Sequence, residues 1–197
     1  MSLITFEGFH GTNFANVQSI KDNNFSASTS DEEWLGNGTY FFTDGVANDR
    51  EPHTAAKDWA EASAWDNNLK RYVYRKCCVL KTTILIDDDE HFLDLTTLEG
   101  MEVFNYYRHR FNADIKKNGL TFKRESKIFR DGELINELRD RDGLRLDVVK
   151  SSFYIKFGIE RRLKIDFRIP NCTVLAVYDA AKNIDKNKIG ITFQFTI

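Results

Sequence analysis

The sequence predicts an α+β fold in a single domain covering residues 1–197. Three observations carry that expectation. A chain of 197 residues fits one domain when domains average roughly 150 residues. Its first two-thirds place apolar residues at helical spacing between short β-branched and aromatic runs. Its last third is a succession of strand-like runs.

Taken in order, Ile4 to His10 reads as a short strand that ends at Gly11. Thr12 or Asn13 can cap a helix that buries Phe14, Val17 and Ile20, and Asn23-Asn24 offers its stop. Phe25 to Asp31 is a Ser/Thr-rich loop. Trp34-Leu35-Gly36-Asn37-Gly38 forms a turn into the strand run Thr39-Tyr40-Phe41-Phe42. After a polar loop over 48–52, residues Ala55, Ala56, Trp59, Ala60 and Ser63 recur at helical spacing. Tyr72 to Ile86 is rich in β-branched residues and contains a long strand from Val79. Met101, Phe104, Tyr107 and Phe111 mark a helix ending near Asn118-Gly119, and a shorter one runs from Asp131 to Arg139 on Leu134, Ile135 and Leu138. Strands are expected over Leu146 to Phe157, Ile165 to Ile169 with Val174 to Tyr178, and Ile191 to Ile197. No internal repeat or low-complexity linker interrupts this order.

Composition narrows the class of function. Apolar residues make 42% and charged residues 29%, which excludes a disordered, collagen-like or coiled-coil chain. Aromatics reach 13%, enough either for a large core or for a pocket that takes a flat ring. A formal net charge of −2, from 28 basic and 30 acidic residues, is not the footprint of a general nucleic-acid binder. Local basic groups remain: Arg161, Arg162, Lys164 and Arg168 in one, Lys123, Arg124 and Lys127 in another. The acidic run Asp87-Asp88-Asp89-Glu90 reads as a solvated turn. Three cysteines (Cys77, Cys78 and Cys172) are too few for a disulfide framework and indicate a reducing cytoplasm. The four histidines lack metal-ligand spacing, so no metal is expected. No run of about 18 apolar residues and no signal-peptide pattern points to a membrane or to export.

The segment that carries chemistry is the first sixty residues. Gly8-Phe9-His10-Gly11-Thr12 is followed by a helix, then by Gly38-Thr39-Tyr40-Phe41-Phe42, then by the Trp59 helix. This resembles the ADP-ribosyltransferase superfamily, on its diphtheria-toxin and poly(ADP-ribose) polymerase side. The order of elements fits that fold over most of the chain. The resemblance implies a split, mixed β-sheet core with helices packed on it, and NAD as co-substrate.

It also implies roles. His10 would hold ribose hydroxyls as a neutral imidazole. Gly11 would offer its backbone to the nicotinamide carboxamide, with the missing Cβ permitting close approach. Thr12 would reach the adenosine ribose. Tyr40 would stack on nicotinamide, Gly38 would allow the tight turn before it, and Trp59 would close the clamp from the other side. The third family element is a carboxylate or Gln on a late strand, placed to stabilise the charge that grows on the ribose. Asp166 in Ile165-Asp166-Phe167-Arg168-Ile169 is the candidate, Gln194 a rival and Glu160 a weaker one. Arg161, Arg162, Lys164 and Arg168 are then either a solvated face or a contact for the pyrophosphate or a polyanionic acceptor.

The implied function is cleavage of the nicotinamide–ribose bond and transfer of ADP-ribose, as a mono-transfer, to a protein or nucleic-acid acceptor. Compact members of the superfamily act as toxins or defence effectors, which implies a neutralising antitoxin-type partner. A non-catalytic NAD or ADP-ribose binding module and an RNA 2′-phosphotransferase-like enzyme are the competing expectations.

Overall fold

A computed structural model describes residues 3–29, 33–87, 91–118, 130–140 and 144–197. The basic group Lys123, Arg124 and Lys127, and the last three positions of the acidic run, lie outside the described residues. The chain runs β1 (Ile4–Asn13), α1 (Val17–Asn23), β2 (Thr39–Thr43), α2 (Pro52–Ala64), β3 (Trp65–Asp66), β4 (Arg71–Tyr72), β5 (Lys76–Ile86), β6 (Phe92–Asp94) and α3 (Leu98–Asn118). It continues with α4 (Asp131–Asp140), β7 (Val148–Phe153), α5 (Gly158–Leu163), β8 (Cys172–Val177), α6 (Ala180–Asn183) and β9 (Gly190–Thr196). The α+β expectation holds.

Seven strands form one mixed sheet in the order β6-β7-β8-β2-β1-β5-β9, with β3 and β4 apart as a small hairpin. All pairs in the large sheet are antiparallel except β6 with β7. The sheet's two halves are joined unequally. β1 runs beside β5 over ten consecutive register positions, from Ile4↔Ile86 to Asn13↔Cys77. Against β2 it pairs at Phe9↔Phe42. The sheet therefore opens between β1 and β2, and this opening shapes the site described below.

Alternation along the strands supplies both faces of the core. One face carries Phe9, Phe42, Val79, Val149, Val174 and Ala176, covered by Ala55 and Ala56 of α2 and by Leu134, Ile135 and Leu138 of α4. The opposite face carries Phe41, Cys78, Leu80, Ile84, Val148, Leu175 and Val177, covered by Val17 and by Phe25 from the following loop. Helix α2 sits close because it presents alanines. An ideal Cβ on Gly11 would lie 1.8 Å from the Ala56 carbonyl oxygen and 3.1 Å from the Ala60 Cβ. The missing side chain of Gly11 is thus used to seat α2 on β1.

Several expectations need correction. β1 does not stop at Gly11 but continues to Asn13, because β5 accompanies it to Cys77. Asn13 caps a 3-10 turn over Phe14–Asn16, its side-chain oxygen accepting from the Ala15 N–H at 3.0 Å, and α1 follows. The expected run Leu146 to Phe157 shortens to β7. Ile165 to Ile169 is not a strand. The segment has no neighbour in the sheet, and Phe167 and Ile169 are 64% and 82% exposed. Its apolar alternation has no sheet to face, and α5 takes the preceding residues, with Lys164 in a left-handed conformation ending that helix.

Two outcomes test this packing. Replacing Gly11→Ala is expected to lower stability by about 2–3 kcal/mol, because the added methyl meets helix backbone that cannot rotate away. An unchanged denaturant midpoint would show that α2 is not seated as described. All three thiols are buried and unpaired, and burial pushes the Cys78 and Cys172 pKa values up to about 11 and about 12. A thiol reagent at neutral pH is expected to label none of them quickly in the folded protein and all three after denaturation.

Candidate functional site

The cleft begins where β1 and β2 part. His10 Nδ1–H donates to the Tyr40 carbonyl at 2.9 Å. A carbonyl only accepts, so Nδ1 carries the proton and the neutral ring keeps its Nε2 lone pair free to accept. Burial lowers the His10 pKa below its ordinary value, a fall that the same hydrogen bond partly offsets. The imidazole packs edge-on against Phe25, with ring centroids 5.2 Å apart, and lies 5.7 Å from Phe41.

This side-chain bond ends the β1–β2 ladder. Continuing the register from Phe9↔Phe42 would set Gly11 opposite Tyr40. Tyr40's carbonyl is instead taken by the imidazole. The Glu7 carbonyl accepts from Thr43 Oγ1 at 2.8 Å, so the main-chain groups of Glu7 point toward β2. By alternation along an unbulged strand, so do those of Phe9 and Gly11. Gly11 therefore turns its N–H and C=O into the opening, beside the Tyr40 ring. A donor and an acceptor side by side suit a planar amide.

Tyr40 is fixed at its hydroxyl. That oxygen accepts from the Leu35 N–H at 2.8 Å and donates to the Gly36 carbonyl at 2.8 Å. The Tyr178 hydroxyl donates to the Leu35 carbonyl at 2.6 Å, and Asn136 Oδ1 accepts from the Asn37 N–H at 2.8 Å. Burial, with the Glu33 carboxylate nearby, holds the Tyr40 phenol well above its usual pKa despite the Leu35 bond. With its hydroxyl engaged as both donor and acceptor, the ring is held as a rigid surface. The glycine that the turn requires is Gly36, at φ +80°, rather than Gly38.

The cleft is about 250 Å³ in volume. His10, Gly11, Gly38, Tyr40 and Trp59 all line it, so the structure brings these five expected residues together. Ser26, Ser28, Glu33, Trp34, Ile155 and Val174 also line it, and the sequence reading gave none of them a role. Trp34 stands edge-on to Trp59 at 6.3 Å and rests on Phe153 at 5.1 Å. Its place next to the Leu35-Gly36 turn was the one available signal. Thr12 does not line the cleft, and its hydroxyl accepts from the Asn16 side chain at 3.1 Å.

None of the three late candidates reaches the cleft. Asp166 lies on the exposed segment after α5, its side chain 75% exposed and paired with Lys156 at 2.7 Å. That lysine, with a smaller contribution from the Arg168 charge, lowers the Asp166 pKa. Gln194 pairs in register with Cys78, which points into the opposite face of the sheet, on the edge strand β9. Glu160 lines a different cavity. The strand beside β2 presents Val174, an apolar residue, to the cleft. Among the described residues, Glu33 is the one carboxylate lining the cleft, and it accepts a hydrogen bond from the Ser28 hydroxyl.

No family model and no curated protein matches the chain. Among the described residues, no helix is long and apolar enough to cross a membrane.

The lowered His10 pKa has a pH consequence with a definite sign. The unfolded chain takes up a proton on this imidazole near pH 6.5, whereas the folded protein resists until a lower pH. Stability is therefore expected to be full above about 6.5 and to fall as the pH drops below that value. Urea midpoints from pH 8 to pH 5 should show this decline, and His10→Asn should flatten it. An equal decline in both proteins would remove His10 as its source.

Proposed function

We propose that the protein is an NAD-dependent ADP-ribosyltransferase. The observation that carries this reading is the opened sheet. It sets a bare peptide edge at Gly11, a locked aromatic face at Tyr40 and a free imidazole acceptor at His10 around one small cleft. The fit to NAD is best at its nicotinamide end. About 250 Å³ is below the roughly 300–1,000 Å³ of most ligand sites, so the cleft takes a ring and its sugar and leaves the rest of the dinucleotide outside.

In this reading Tyr40 and Trp59 flank the nicotinamide ring, and Gly11 pairs with its carboxamide through N–H and C=O. His10 Nε2 accepts from a ribose hydroxyl. The C1′–N bond breaks with its electron pair leaving on nicotinamide, and positive charge develops on the ribose. The acceptor's nucleophile forms the new bond at C1′. The carboxylate available to stabilise that charge and take the acceptor's proton is Glu33, from the loop before β2, in place of Asp166. Transfer of a single unit to a macromolecule in the cytoplasm completes the proposal. Three unpaired, buried thiols support a reducing compartment.

One observation favours a second reading. Val174 gives the β8 wall of the cleft no polar group, as in a module that binds NAD or ADP-ribose without cleaving it.

Nicotinamide release from labelled NAD, with and without cell lysate, separates the two. Release is expected, and Glu33→Gln should lower it about a hundredfold or more while NAD binding persists. Asp166→Ala should behave as wild type, and Tyr40→Ala should bind NAD at least tenfold more weakly. Saturable binding with no release under any condition would establish the module. Full binding by Tyr40→Ala would move the pocket elsewhere.

A further inference from the structure

A second cavity, about 390 Å³ in volume, lies on the far side of Trp59 between α2, the β3–β4 hairpin and α5. Its walls hold Trp65 and Tyr72 from the hairpin and Lys156, Arg161, Arg162 and Lys164 from the α5 region. Trp65 is 39% exposed and stands edge-on to Tyr72 at 5.2 Å. Arg161 donates to the Lys156 and Ala62 carbonyls, and its guanidinium lies 5.1 Å from the Trp59 ring. That indole is also a wall of the first cleft, so Arg161 joins the two sites. Among the described residues Arg161, Arg162 and Lys164 have no carboxylate partner. In a chain of net charge −2 they form a local cationic cluster. One more group is unsatisfied. Glu160 Oε2 is buried in the wall with no hydrogen-bond donor.

Unpaired cations, an exposed aromatic and a lone buried acceptor, converging on one cavity, call for a ligand with matching groups. It must carry an anion, a flat ring and an N–H or O–H donor. A nucleotide has all three in phosphate, base, and sugar hydroxyl or exocyclic amine. We propose that this cavity binds one nucleotide unit of a single-stranded nucleic acid. Its phosphates lie on Arg162 and Lys164, its base on Trp65, and a donor from base or sugar meets Glu160. The strand then runs past Arg161 to the mouth of the first cleft. In the transferase reading, on which this last step alone rests, the strand is the ADP-ribose acceptor.

Fluorescence anisotropy of labelled ten-residue oligo(dT) and oligo(rU), with AMP and UMP as competitors, tests the site without NAD. Both oligonucleotides are expected to bind, with affinity falling steeply as salt rises. Arg162→Ala/Lys164→Ala should weaken binding about tenfold or more and flatten the salt dependence, and Trp65→Ala should weaken it about tenfold. The control Lys116→Ala/Lys117→Ala should bind as wild type. Direct titration with AMP or UMP, followed by tryptophan fluorescence, that shows binding lost in the same variants while no oligonucleotide binds would replace the strand by a free nucleotide and overturn the proposal. Equal losses in the control, or no binding of either probe, would also overturn it. Absence of all binding would leave the exposed Ile159 and Leu163 beside the cavity to a protein partner. NAD binding and nicotinamide release by the same variants are read separately and should be unchanged. Intact NAD cleavage without strand binding sinks this proposal alone, and strand binding without NAD binding sinks the transferase reading alone. Nicotinamide release in the presence of the oligonucleotide, with no label transferred to it, removes the acceptor role.

Discussion

The hydrogen bond from His10 Nδ1–H to the Tyr40 carbonyl organises the site. A side chain here takes the acceptor that a neighbouring strand would otherwise use, so β1 and β2 part after their pairing at Phe9↔Phe42. The sheet survives because β1 is paired to β5 along its whole length, which keeps the parted strand straight and its residues in register. The exposed peptide edge at Gly11 then costs little, since it faces an open cleft where water or a ligand can satisfy it. The same bond fixes the imidazole tautomer and leaves the second ring nitrogen as an acceptor.

Around this opening the structure invests in rigidity. Tyr40 is held at its hydroxyl by both a donor and an acceptor from one turn, and that turn is itself tied to Tyr178 and to Asn136 of α4. Gly11 serves twice, offering its main chain to the cleft on the strand's edge and making room for Ala56 on the strand's face. A substitution there would disturb packing and the cleft together. An aromatic face held this firmly loses little conformational freedom on meeting a flat ring.

Beyond His10 and Gly11 on β1, the carboxylate and the serines of the cleft come from its loop side. β8, next to β2, presents Val174, and the carboxylate arrives from the loop with Glu33, held by Ser28. Arg161 lines the second cavity and lies over the Trp59 indole that lines the first, and the cations of the second cavity come from the α5 region. The first site is built on β1, β2 and β8 with the loop before β2, and the second on short segments that flank the sheet.

Sequence by itself determined much of this protein. Alternation and helical spacing are local properties, so the α+β class, α2, α3 and α4, and the strands at Thr39 and Val79 could be read directly. The resemblance carried by His10-Gly11-Thr12 and Gly38-Thr39-Tyr40 also pointed to two strands that line the cleft. Tertiary structure decided the rest, because it depends on which strand lies beside which. Ile165 to Ile169 has strand alternation but no sheet neighbour, so Asp166 ends in solvent beside Lys156. Gln194 sits on a true strand, but β9 is the edge strand, held away from β1 by β5. Thr12, two residues beyond His10, falls past the opening. Glu33 and Trp34 reach the cleft because the loop before β2 is pinned by two tyrosines and α4. The contacts from Tyr178 and α4 join residues about a hundred or more positions apart, a separation over which no local pattern carries information.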